Sequence, residues 1–208
     1  MFVWNTDVFD ILTGIISFII ALRAFWLFAR FRGYRLLILG LALLVFPFST
    51  MAGIARTVHL IPTAWSTTWF SFTGQTAAFL FIFLSSFQGR DDYLRRLLRW
   101  QIILLVPITA LLPLAPLLPT VSDPLTKGLF IGIRALACFL TFYSYMALFM
   151  KKETRFSFLM MIAFLALSIG YATIIPRFFL PHMDTLSLVG DVIRVLGLLF
   201  LGFGLLGG

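Results

Sequence analysis

Six strongly polar or ionisable residues, Asp10, Gln75, Arg134, Tyr171, Asp191 and Arg194, interrupt stretches that are otherwise apolar, and Arg56 closes another such run. A charge near the centre of a bilayer costs at least about 2.5–3.5 kcal/mol, so each must face protein or water. If the stretches are helices rising about 1.5 Å per residue, Arg134 lies about 13 Å from its outer end, Arg194 about 12 Å, Asp191 about 8 Å and Gln75 about 16 Å. These depths coincide in one half of the bundle. They predict an outward-opening polar pocket walled by Asp10, Arg56, Gln75, Arg134, Tyr171, Asp191 and Arg194, with His59, Arg177 and His182 at its rim. Its arginines outnumber its acids, which suits a carboxylate, phosphate or lipid head group, because a guanidinium grips such anions with two parallel hydrogen bonds. The competing reading is an internal network, Asp191 with Arg194 and Asp10 with Arg56, that only ties helices together.

Spacing places these groups on helical faces. Arg134, Cys138, Thr141 and Tyr145 fall at i, i+4, i+7 and i+11, one polar stripe. Asp10, Thr13, Ser17, Ala21 and Ala24 form a second, of polar and small residues. Ser49, Gly53 and Arg56 share a face, as do Ser71 and Gln75, and Ser168 and Tyr171. Asp191 and Arg194 stand three apart, near enough to pair. Gly190, Gly197 and Gly204 repeat every seven residues, a smooth seam for a close neighbour. Gly128 and Gly132 offer a smaller face of the same kind.

The elements that must carry these faces follow from the apolar runs. Hydrophobic residues make up 61% of the 208 positions and charged residues 12%, with 25 phenylalanines. Mean hydropathy is +1.05. A soluble protein of this size could not bury so much apolar surface. Seven segments reach the roughly 20 residues that a spanning helix needs: 8–31, 34–55, 64–87, 94–118, 125–150, 156–179 and 186–206. The expected fold is an all-α integral membrane protein: a single polytopic domain over 1–208, a seven-transmembrane-helix bundle in the cell membrane. Pro107, Pro113 and Pro116 interrupt the fourth segment, which is expected to be kinked and to face lipid.

Charge sets the expected orientation. Arg23, Arg30, Arg32, Arg35, Arg90, Arg95, Arg96, Arg99, Lys151, Lys152 and Arg155 fall at one end, against Arg56, Lys127, Arg134, Arg177 and Arg194 at the other. The positive-inside rule then puts the amino terminus outside and the carboxyl terminus in the cytoplasm. Residues 1–10 carry Asp7 and Asp10 and no lysine or arginine, and Arg30, Arg32 and Arg35 come at the far end of the first apolar run, the reverse of a signal peptide, so that run is expected to be retained. Arg23 can snorkel to the inner interface as an anchor. The Tyr93–Trp100 stretch mixes arginines with leucines, an anchor or a contact for anionic lipid head groups.

Several chemistries are excluded by what is missing. The chain has no H-E-x-x-H, no phosphate-binding G-x-x-x-x-G-K-[ST] loop and no G-x-S-x-G elbow, so no recognisable catalytic motif marks it as an enzyme, and an intramembrane enzyme acting on a lipid is the third and weakest reading. Its single cysteine, Cys138, rules out a disulfide framework within the chain, and its two histidines lack acidic partners at ligand spacing, so neither a metal nor another cofactor is expected. Nucleic acid is not an expected partner. Seven helices with an outer amino terminus is also the layout of the rhodopsins. The lysines, however, are Lys127, Lys151 and Lys152, none within the last segment, which a retinal Schiff base would require. The expectation is a ligand-binding or sensory membrane module for an anionic small molecule or lipid head group, signalling through a separate partner. The alternative is a small transporter, a channel or an accessory subunit of a larger membrane complex.

Overall fold

Two of the tight links depend on a residue forced into the left-handed region. Arg32 (φ 56°) and Glu153 (φ 48°) close the helices before them, each donating its backbone N–H to the carbonyl four residues back, Phe28 at 2.7 Å and Glu153's partner Phe149 at 2.8 Å. In the computed structural model, which describes residues 4–57, 66–87, 91–180 and 184–206, seven α-helices result. They are α1 (Trp4–Phe31), α2 (Tyr34–Thr57), α3 (Thr68–Ser86), α4 (Asp91–Ala110), α5 (Pro124–Lys152), α6 (Arg155–Ile174) and α7 (Asp184–Leu206). Short 3-10 turns occupy Ala115–Leu117 and Ile175–Phe178.

Local chemistry sets the boundaries. Asp123 is extended, caps α5 by accepting from the Thr126 N–H, and is followed by Pro124, whose fixed φ suits the first helical position. Thr154 caps α6 in the same way through the Ser157 N–H. The fourth segment, expected over 94–118, is helical only from Asp91 to Ala110. Pro107 is accommodated inside it, but the ring of Pro113 would collide with the carbonyl of Thr109, so the chain turns instead. Asp91 and Asp92 occupy its first turn, where their charge opposes the helix dipole.

The helices pack as a ring. α1 contacts α2, α2 contacts α3, α3 contacts α5, α5 contacts α6, α6 contacts α7, and α7 returns to α1. α4 is outside the ring, against α2 and α3, and buries Leu94, Leu97 and Gln101 while Ile103 and Val106 face outward. The interior is filled by Phe79, Phe164, Tyr171, Leu198 and Leu201, all essentially inaccessible. The outer faces carry Ile19, Leu129, Leu136 and Phe203. Apolar residues on both faces form a pattern that a bilayer accepts and water does not. Among the described residues five helices, α1, α2, α5, α6 and α7, are long and apolar enough to cross a membrane.

Gly190, Gly197 and Gly204 of α7 all meet α6, while Gly202 faces Ile20 of α1. A Cβ at Gly190 would lie 2.8 Å from the Gly170 carbonyl, and one at Gly197 would lie 3.0 Å from the Ala163 carbonyl. Gly204 faces Leu159 and Met160. This close seam fixes where α7 presents Asp191 and Arg194.

Candidate functional site

Arg134 enters the ring from α5 and is almost wholly enclosed, 3% exposed. Its Nε donates to Thr76 Oγ1 (3.1 Å), its Nη1 to Gln75 Oε1 (2.6 Å), and its Nη2 to the carbonyls of Ser71 (3.3 Å) and Phe72 (3.0 Å). Every acceptor is neutral and every one is on α3. The guanidinium therefore clamps α5 to α3, using four of its five N–H groups. Gln75 extends the network by donating to Ser71 Oγ (3.3 Å) and, across to α2, to Ser49 Oγ (3.4 Å). Ser168 of α6 donates to the Ala135 carbonyl (3.0 Å), so a second polar bridge secures the other side of α5.

Arg194 is placed differently. It pairs with Asp191 one turn earlier on α7, and the two side chains are 15% and 7% exposed. Its Nε is buried with no hydrogen-bond partner. Tyr171 of α6 separates the two arginines: its ring centroid is 5.2 Å from the guanidinium carbon of Arg194 and 6.0 Å from that of Arg134. Asp10 of α1 acts on Arg194 electrostatically. Its backbone carbonyl accepts from Thr50 of α2 at 3.2 Å.

Gln75, Arg134, Tyr171, Asp191 and Arg194 thus form one cluster, with Asp10 at its edge. The Arg56 side chain, His59 and His182 lie outside the described residues. Arg177 is apart from the cluster and donates to Ser187 (3.1 Å), steadying the link into α7. Thr76 went unread in the sequence, since it stands one position off the Ser71–Gln75 face, yet it accepts from Arg134 Nε. Cys138 is fully buried beneath Arg134 on the same stripe. Among the described residues no group of histidine, cysteine, aspartate or glutamate could hold a metal ion.

Two sizeable cavities lie away from this cluster. One, about 260 Å³, is a nearly pure hydrocarbon groove between α1 and α2, lined by Ile11, Gly14, Phe18, Leu44 and Pro47. The other, about 320 Å³, opens at the opposite, basic end of the ring and takes residues from all six ring helices. Arg23, expected to act as an interface anchor, places its guanidinium carbon 4.3 Å from the centroid of its own helix's Trp26.

Comparison with known protein families, characterised proteins and solved structures finds no match to this chain.

Proposed function

We propose that the chain is a seven-span cell-membrane module, amino terminus outside, that binds an anionic small molecule or lipid head group through Arg194. The charge partition supports the orientation: the ends of α1 and α5 and the starts of α2, α4 and α6 lie at one end of the bundle and carry the basic excess. Reporter fusions at Gly208 and within residues 151–155 should both read cytoplasm, and an outside signal from either would reverse the topology.

The observation that carries the ligand reading is the unused Nε of Arg194. Arg134 is committed to α3, whereas Arg194 holds one carboxylate, retains a donor, and stays partly accessible. A guanidinium left under-bonded inside a bundle favours an incoming anion, because a desolvated cation gains more from a charged acceptor than from water. The alternative, a small transporter or channel, draws support from the cavity at the basic end.

The test uses protein in phosphatidylcholine nanodiscs, titrated with inorganic phosphate or acetate, or moved into phosphatidylglycerol nanodiscs. A ligand at a hundredfold excess over its Kd should raise Tm by roughly 5–10 °C. Arg194→Ala should remove that rise. A folded Arg194→Ala protein that responds like the wild type would overturn the assignment.

A further inference from the structure

Every ring helix helps to build the cavity at the basic end. Leu27 of α1, Leu36 of α2, Ser85 of α3, Tyr145 of α5, Met160 of α6 and Leu205 of α7 each contribute to its wall. At about 320 Å³ it lies within the range of small-molecule sites, roughly 300–1,000 Å³. Phe79, Phe164, Tyr171 and Leu198 are fully buried elsewhere in the ring.

Its wall is apolar except at one side. Arg35, from the first turn of α2, lines it. That guanidinium donates a single hydrogen bond, from Nη2 to the Phe87 carbonyl at 3.1 Å, and its other N–H groups have no partner among the described residues. Tyr145 lines the same pocket within electrostatic range of Arg35. The tyrosine is held rigidly, stacked on Phe164 at 5.8 Å and 3° and edge-on to Phe156 at 6.3 Å. Ser85 spends its own proton on the Ile82 carbonyl (2.8 Å). The nearby helix ends carry Arg32, Lys151, Lys152 and Arg155. A basic rim of this kind concentrates anions at the mouth.

We infer that this pocket binds an amphipathic anion, with its carboxylate or phosphate head on Arg35 and its apolar body among Leu27, Leu36, Met160 and Leu205. A free phosphate would leave the hydrocarbon wall empty, and a neutral apolar molecule would leave the arginine unsatisfied. The two halves of the pocket together select a molecule with both. This site is separate from the cluster around Arg194 and does not depend on it.

The probe is decanoate, added to protein in phosphatidylcholine nanodiscs, with acetate (head alone) and decanol (body alone) as controls. A second arm replaces the added anion with phosphatidylglycerol in the disc, which separates a free amphiphile from a membrane lipid. Decanoate should raise the melting temperature where acetate and decanol do not. Arg35→Gln should weaken its apparent affinity roughly tenfold or more, the loss expected for a charged hydrogen bond. Leu36→Trp, which fills the pocket and keeps Arg35, should abolish the response even if Arg35→Gln fails to fold. Arg194→Ala should leave it intact. Stabilisation by phosphatidylglycerol that both pocket variants remove would support the same site with a lipid as its occupant. The inference is overturned if neither anion stabilises the wild type, or if Leu36→Trp responds as the wild type does.

Discussion

Arg134 of α5 donates to Gln75 Oε1 of α3 across 2.6 Å, and none of its four hydrogen bonds reaches a carboxylate. Its hydrogen-bond acceptors are all neutral, an amide, a hydroxyl and two carbonyls, and the rings of Phe72 (5.3 Å) and Tyr171 (6.0 Å) flank it. Arginine can do this because its planar fork aims several donors at fixed angles, which a lysine ammonium cannot match. Arg134→Lys should therefore behave as a damaging change despite keeping the charge. Arg134→Ala leaves Gln75 Oε1 without its charged donor, at a cost of about 1–3 kcal/mol. A double-mutant cycle with Gln75→Ala, read by thermal or denaturant unfolding, should give a coupling of the same order. Coupling near zero would mean the two side chains do not hold α3 to α5.

The α6–α7 seam predicts a contrast among glycines. A Cβ at Gly170 would approach the Gly190 carbonyl to 2.9 Å and the Arg194 nitrogen to 3.0 Å, both backbone atoms that cannot move without shifting a helix. Gly170→Ala and Gly190→Ala should each destabilise by about 1–3 kcal/mol. Gly132 has open space where its Cβ would go, so Gly132→Ala should be neutral or stabilise by up to about 1 kcal/mol. Melting temperatures of the three variants decide it: equal losses would mean the seam is no tighter than the outer face of α5.

Much of this was legible because the helical period is rigid. The seven-residue glycine repeat of α7 meets α6 at all three positions, and Thr13, Ser17, Ala21 and Ala24 are all buried on their shared face, while Asp10 at its end is exposed. The Asp191–Arg194 pair followed from one turn of helix. What stayed hidden depends on which helices adjoin. Arg134 is 58 and 59 residues from Thr76 and Gln75, and no local spacing tells whether α5 lies beside α3 or α4. The basic-end pocket has no sequence signature either, since a void is made by where six helices fail to meet, and Arg35 reads from sequence only as an interface anchor. The fourth segment was overextended because hydropathy continues to Leu118, while Pro113 ends the helix by sterics that hydropathy does not register.

Acid should loosen the start of α5. Thr126 donates to Asp123 Oδ2 through its hydroxyl (2.7 Å) and its backbone N–H (2.9 Å), and these bonds, the hydroxyl's foremost, hold the carboxyl below its usual range. A depressed value in the folded state means that the cap contributes fully above the ordinary aspartate pKa, near about 3.9. The contribution is lost as pH falls through the lower folded value. Amide hydrogen exchange at Thr126 and Lys127 should therefore show reduced protection, relative to the helix interior, as pH is taken below about 4. Asp123→Asn keeps an acceptor without the titration, so its protection should stay flat across that window. Parallel behaviour of the two proteins would remove Asp123 from the account.

The accessibility of Arg194 can be measured by taking away its partner. Asp191→Ala deletes the carboxylate and leaves a cavity of about its volume beside a guanidinium whose Nε already lacks an acceptor. Breaking a buried ion pair from one side costs about 3–5 kcal/mol, because the remaining charge is uncompensated. Partial exposure of this pair places the expected loss at the low end, and Asp10, which also acts on Arg194, softens it further. Acetate matches the deleted group in charge and shape. If Arg194 is open to an external anion, millimolar acetate should restore much of the lost melting temperature in Asp191→Ala and do little for Asp191→Asn, whose amide still fills the space. Rescue of this kind reports binding at one guanidinium, independent of what the natural ligand is. No rescue from a variant that remains folded would show that the pair is sealed from solvent, and the Asp191–Arg194 pair would then serve only to hold helices together.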